Sequence, residues 1–284
     1  MPTNRELFFE LKTKRNKYLT DYIIKLLLCN SFNYRDFTEL LLNFDKTNSD
    51  CNSFYEKAKR IESGEPYQYV MKEAYFLNDK YYVDENVLIP RQETEQLIIE
   101  IDKKIKELQG FCPKTMCDIC TGSGILAIEM KKRYPDSSIY ATDISNNALK
   151  VANKNSKEKG LNIVFKQGDL LEPLLIYGKF DVLLCNPPYI EQEDEIDPQV
   201  LQYEPREALI AKPGTIYFQK IFEKMLTLMN DKFIAGFEIG ENQKEELTRL
   251  VNIYFKNVKF TFKIDMYNKN RFLLIWKNWL KEIL

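Results

Sequence analysis

The chain has 284 residues, enough for one large domain or two modest ones with a real core. Its 41 Lys and Arg against 42 Asp and Glu give a net charge of −1, so no global basic field marks a nucleic-acid binder. No apolar run reaches the roughly 20 residues of a membrane span, and with no histidine in the chain Ser–His and Cys–His nucleophile pairs are excluded.

The opening MPTNRELFFELKTKRNK is charged throughout and lacks the apolar core of a secretory signal, which makes the cytoplasm the expected location. Segments near 4–15, 19–29, 34–44 and 51–63 carry apolar residues at steps of three and four, with Tyr22, Ile23, Leu26 and Leu27 as an example, and polar clusters separate them. Residues 1–64 therefore read as a small all-α bundle. Aromatic and polar residues then alternate around Asn78-Asp79 in EAYFLNDKYYVDENVLIP, the pattern of a β-hairpin, so 65–90 reads as a hairpin linker. A helix beginning at RQETEQ opens the second domain, 91–284, with acids first and lysines last, as the helix dipole prefers.

From residue 112 short apolar strands alternate with amphipathic helices. Strands are expected near 115–119, 138–142, 162–166, 180–185, 233–239, 257–264 and 271–277, and helices near 124–134, 145–159, 214–229 and 242–253. This alternation predicts an α/β fold, an open parallel sheet with helices on both faces. Only YNKN separates the last two strands, which predicts an antiparallel hairpin at one edge.

Four motifs fall at the carboxyl ends of these strands, where open α/β sheets bind ligands. CTGSG (Cys120, Thr121, Gly122, Ser123, Gly124) joins the first strand to its helix, and its glycines permit a tight turn and a close approach of ligand to backbone; ordinary turn chemistry explains such a loop equally. ATDIS ends the second strand with Asp143, about 20 residues further on, the offset of an acid that binds ribose hydroxyls or caps the next helix. QGDL brings Asp169 and Leu170 to the end of the third strand, with Asp169 suited to an adenine amino group or to capping the next turn. The glycine spacing is not that of a dinucleotide site, and a nucleoside fits better. The fourth motif lies in VLLCNPPYIE. A buried strand runs into Asn186, Pro187, Pro188 and Tyr189, so an amide is held on backbone that can neither form a helix nor pair in a ladder. The Asn186 side-chain oxygen and the Pro187 carbonyl can together accept both hydrogens of one –NH₂ group.

In this order, CTGSG, ATDIS, QGD and CNPPY resemble the Rossmann-like class I methyltransferases that use S-adenosylmethionine. VDENVLIPRQETE before them, and FEIGENQ and IDMYNKNR after them, resemble the HemK/PrmC family of peptide chain release factor N(5)-glutamine methyltransferases. The resemblance implies a seven-stranded, mostly parallel sheet behind the helical bundle, with S-adenosyl-L-methionine as methyl donor and S-adenosyl-L-homocysteine as product. It implies class I release factors as the protein substrate. A loop glutamine offers too little surface for specificity, so residues 1–64 are expected to recognise that substrate. The apolar runs leave no membrane partner, and the charge makes a nucleic-acid partner unexpected. Cys120–Gly124, Asp143, Asp169, Leu170 and Asn186 would hold the cofactor. Asn186, Pro187, Pro188 and Tyr189 would bind and activate the glutamine amide, with Tyr189 packing on that flat group or shielding it from water. Cys120 stands where the family has glycine, which is tolerated if the residue is still in the strand with negative φ. Asn268 replaces another glycine, and asparagine is the next-best residue for a left-handed turn.

NPPY suits the amine of adenine or cytosine equally well, so methylation of DNA or RNA is the alternative. Against it stand the near-zero charge, the lack of a basic recognition region and the acidic EQEDEID beside the motif. A non-enzymatic nucleoside-binding module would be expected to lose NPPY. Cys117 and Cys120 form a C-x-x-C pair, but a structural zinc wants four ligands, and a spacing of three along a strand points the thiols to opposite faces. No metal is expected.

Overall fold

The computed structural model describes residues 1–277; residues 278–284, counted above in the second domain, lie outside the described residues. The chain divides into two compact units, Met1–Glu73 with Pro198–Tyr203, and Ala74–Asp197 with Glu204–Leu284. The first unit is helical: α1 (Asn4–Lys12), α2 (Asp21–Phe32), α3 (Phe37–Leu42), α4 (Asn52–Glu62) and α5 (Tyr67–Met71). Thr3 starts α1 with a capping box, Thr20 and Asp36 cap α2 and α3 through their side chains, and Asn33 ends α2 in the left-handed conformation. Leu7, Leu19, Ile24, Leu27 and Leu28 are fully buried in its core, each stabilising the unit by about 1.5–3 kcal/mol relative to exposure. α5 falls within the segment read as linker. Its five residues are too few for a visible helical period.

The second unit opens with the hairpin β1 (Ala74–Phe76) and β2 (Asp79–Tyr81). Its turn is Leu77-Asn78, both with positive φ, so Asp79 belongs to the strand and not to the turn. The hairpin is part of this unit. Phe76 and Tyr81 are buried in the same cluster as Leu97 and Ile101 of α6 (Gln92–Glu107). Then follow β3 (Thr115–Ile119), α7 (Ile125–Arg133), β4 (Ser138–Asp143), α8 (Asn146–Glu158), β5 (Val164–Gln167) and β6 (Phe180–Cys185). The short α9 (Pro198–Tyr203) counts with the first unit, where Gln199 donates to the Gly64 carbonyl at 2.7 Å. α10 (Ile216–Leu228), β7 (Met229–Glu238), α11 (Lys244–Tyr254), β8 (Lys259–Ile264) and β9 (Asn270–Lys277) complete the unit.

The seven strands lie in the order β5-β4-β3-β6-β7-β9-β8. β3, β4, β5, β6 and β7 are mutually parallel, β9 runs antiparallel between β7 and β8, and the expected edge hairpin is present. Asn268 adopts φ 66° in its turn, as the sequence required. The sheet is buried on both faces. Cys117, Ile119, Leu183 and Cys185 point into one apolar cluster and Met116, Val182 and Leu184 into the other. The chain runs from β3 to β4 on one side and later returns to β6 on the other, so the ends of β3 and β6 form the switch point of the sheet.

Candidate active site

The glycine loop leaves β3 at Ile119 and turns at once. Cys120 has φ 59°, which corrects the expectation of an extended residue with negative φ. The turn is imposed because the Thr121 N–H bonds to the Thr142 carbonyl of the neighbouring strand at 2.9 Å. Strand alternation therefore stops before Cys120. Its side chain packs against the same cluster that contains Cys117, not on the opposite face as the spacing of three suggested. Beneath the loop, the wholly buried Asp118 accepts from the Thr121 hydroxyl at 2.5 Å and the Ala127 N–H at 3.2 Å. Burial pushes its carboxyl up to about 7. Gly122 has φ 54° and nothing near its missing Cβ, so the loop presents bare backbone there. Gly124 has φ 81°, and a Cβ on it would meet that of Ala152 at 2.9 Å, so glycine is required for α7 to lie against α8.

Asp143, at the end of β4, faces this loop. One carboxylate oxygen accepts from the Gly122 N–H at 2.8 Å and the other from the Ser145 N–H at 2.9 Å. The helix cap proper is Ser145, whose hydroxyl accepts from Ala148. Burial raises the Asp143 pKa while these N–H groups oppose the shift. A cavity of about 370 Å³ opens over these strand ends. Cys120, Thr121, Gly122, Ser123, Asp143, Asp169, Leu170, Asn186 and Pro188 all line it. Asp169 sits beside Lys220 at 3.8 Å, and Leu170, with φ 48°, turns the chain at the rim.

Asn186 follows β6 directly, next to the glycine loop, because Ile119 and Cys185 are register partners. Pro187 and Pro188 are buried. Gly124, Pro187 and Tyr189 do not line the cavity. Tyr189 packs against the apolar cluster of the sheet, and its hydroxyl donates to Glu238 at 3.1 Å. Burial first, and the charge of Glu238 next, push its phenol far above the ordinary value.

Sequence reasoning assigned no role to several residues of this site. Thr94 in the first turn of α6, Glu238 at the end of β7 and Arg91 before α6 all stand in segments that carried the family resemblance. The available signal was an acid in the otherwise apolar run FIAGFEIG, since a buried charge needs partners. Arg91 borders the cavity and donates at 2.5 Å to the buried Glu204, which also accepts from the Ile89 N–H at 3.0 Å.

The cavity suits a nucleoside bearing a charged tail. Ile125, Leu126, Ile144 and Leu170 supply apolar walls, Asp143 and Asp169 accept from hydroxyl and amino groups, and Arg91 and Lys220 offer counter-charge. The parallel sheet, its antiparallel edge and this cavity at its switch point have the architecture of the class I methyltransferases. Residues 95–212 match the model of the methyltransferase small domain family. The fold is shared with the ribosomal protein L11 methylase from Lactobacillus delbrueckii subsp. bulgaricus (21% identity, TM-score 0.50, 69% of this chain and 84% of that one). It is shared also with the hMettl16 catalytic domain in complex with MAT2A 3′UTR hairpin 1 (16% identity, TM-score 0.53, 88% and 90%). The release factor glutamine methyltransferase of Bacillus cereus is 34% identical over 240 residues, 82% of this chain and 85% of the relative. That of Staphylococcus aureus is 36% identical over 217 residues, 75% and 76%. The chain belongs to the release factor glutamine methyltransferase family.

Proposed function

We propose that this protein methylates the side-chain amide nitrogen of the glutamine in the Gly-Gly-Gln loop of class I peptide chain release factors. S-Adenosylmethionine supplies an electrophilic methyl group on a cationic sulfonium and leaves as S-adenosylhomocysteine. Asp143 would hold the ribose through the lone pairs that Gly122 and Ser145 leave open, and Asp169 and Leu170 would border the adenine. Residues Cys120 to Ser123 bring their backbone to the methionine portion.

An amide nitrogen is a weak nucleophile because its lone pair is delocalised into the carbonyl. The Asn186 side-chain oxygen and the Pro187 carbonyl, accepting one hydrogen each, position the nitrogen and favour pyramidalisation toward the methyl group. With the methyl donor held by these residues, the C–S bond would break as the N–C bond forms, its bond pair returning to sulfur, and the amide proton would then pass to water. No general base is needed before transfer, which suits a chain without histidine. The carrying observation is that Asn186 and the glycine loop leave adjacent strands and border one cavity with Asp143. Relatives named for release factor glutamine methylation favour this reading over nucleic-acid methylation.

Incubation of a purified release factor with the protein and S-adenosylmethionine should add the mass of one methyl group to that glutamine. Transfer to duplex DNA or tRNA instead would overturn the assignment. Asn186→Ala should cost about a hundredfold in turnover while S-adenosylmethionine binding falls only modestly; near-normal turnover would remove Asn186 from the mechanism.

A further inference from the structure

Asn186 is useful to the reaction only if its oxygen, and not its –NH₂, meets the substrate amide. An asparagine side chain has almost the same shape either way round, so something must choose. In this structure the Asn186 Nδ2 donates to Thr94 Oγ1 at 3.4 Å. The Thr94 hydroxyl donates in turn to Glu238 Oε2 at 2.6 Å. Glu238 is 3% exposed and Thr94 5%, so water has little access to either.

The direction of this chain of hydrogen bonds follows from donor and acceptor counting. Burial raises the Glu238 pKa, while the Thr94 hydroxyl, the Arg271 charge and the Tyr189 hydroxyl oppose that shift and favour the carboxylate form, which accepts and cannot donate. The single hydroxyl proton of Thr94 is therefore committed to Glu238, and its oxygen is left to accept. Asn186 must then offer Nδ2 to Thr94, which leaves Oδ1 for the substrate. The other Glu238 oxygen accepts from the Tyr189 hydroxyl at 3.1 Å, so one carboxylate holds both ends of the NPPY segment. Arg271 of β9 places a positive charge near Glu238 and Tyr189, and is itself held by Asp265 at 3.0 Å.

The structure assigns to Glu238 the role of a positioning residue that sets, through Thr94, which face of the Asn186 amide the substrate meets. This rests on the reading of Asn186 as the acceptor for the glutamine –NH₂. Without the carboxylate, the Thr94 hydroxyl is free to donate to Asn186 Oδ1, which turns the amide over and opposes two donors across the reacting nitrogen. Removal of the hydroxyl alone leaves the amide unbiased, a smaller fault.

The test uses the full-length protein, a purified release factor and S-adenosylmethionine. Glu238→Met should lower kcat by about a hundredfold and Thr94→Val by about tenfold, while Thr94→Ser recovers most of the loss. For Glu238→Met, which alters no cavity-lining residue, KM for the release factor and the Kd of S-adenosylmethionine should stay within about threefold; Thr94 borders the cavity, so its variants are judged by kcat. The double variant Glu238→Met/Thr94→Val should be no slower than Glu238→Met alone, since the misdirecting hydroxyl is gone. Losses that multiply in the double variant, or that appear for Glu238→Met in KM or in cofactor affinity, would overturn the proposal. Thermal unfolding checks that each variant is folded. If Glu238→Met is not, the valine and serine variants decide, and equal turnover in the two overturns it. A normal kcat for Asn186→Ala would instead count against the reading of the site beneath.

Discussion

Cys120 shows how one residue can be placed by its neighbours against its own preference. A side chain in the left-handed region costs roughly 1–2 kcal/mol, and nothing in the loop can relieve it while Thr121 stays bonded to Thr142. At an ordinary site glycine is less stable than alanine by about 0.5–1 kcal/mol. Here the order should reverse: urea unfolding should find Cys120→Gly more stable than Cys120→Ala by about 1 kcal/mol. A less stable glycine variant would mean that Cys120 relaxes to an extended conformation in solution. Asp143 is a mostly buried carboxylate whose proposed ligand role substitution can test. Two hydrogen bonds to ribose at about 1.5–3 kcal/mol each make Asp143→Ala cost tenfold or more in S-adenosylmethionine affinity. Calorimetry with unchanged affinity would remove Asp143 from the site.

Among the elements, the β1–β2 hairpin is held to the catalytic unit by charge as well as by Phe76 and Tyr81. Asp79 accepts from Lys132 of α7 at 2.6 Å and also bonds Lys159, just past α8. Burial pushes the Asp79 carboxyl up, but these two lysines outweigh it and bring the pKa down to about 2. A depressed folded-state value stabilises the fold above the unfolded pKa of about 4, and the contribution is lost as pH falls through 2. Unfolding midpoints of the wild type and Asp79→Asn should thus differ at pH 6 and converge toward pH 2. A constant gap would assign the effect to packing. Asp79 is more than a third exposed, so added salt should narrow the gap at neutral pH.

For the whole molecule, the division of labour between the two units is a proposal. Every cavity-lining residue belongs to the second unit, and the first unit supplies none. A glutamine on a loop offers too little surface for specificity, so a second contact remote from the methyl group is expected of the first unit. A variant lacking residues 1–73 should keep S-adenosylmethionine binding and weak activity on a short Gly-Gly-Gln peptide, and lose most activity on an intact release factor. Leu42 is 82% exposed at the end of α3 and offers a gentler probe. Leu42→Lys, introduced with Leu41→Lys, should weaken transfer to the release factor and spare the peptide. Equal losses on both substrates would make the unit a stabiliser only.

The sheet, its antiparallel edge and the four strand-end motifs were legible in the sequence, because strand burial, glycine turns and proline leave local signatures in the order of residues. Asp143, Asn186 and the glycine loop could be named for the same reason: each sits at the end of a readable strand. Thr94 and Glu238 were present in the quoted segments, yet no local pattern links residues 144 positions apart. Their pairing exists only because β7 lies beside β6 and α6 packs across the sheet. Likewise the positive φ of Cys120 depends on a hydrogen bond from Thr121 to the next strand, and the extent of the first unit on its closure by α9. Sequence alone determines which side chains each strand end carries; only the tertiary structure decides which hydrogen-bond donor meets which acceptor, since that choice is made between chain segments and not along them.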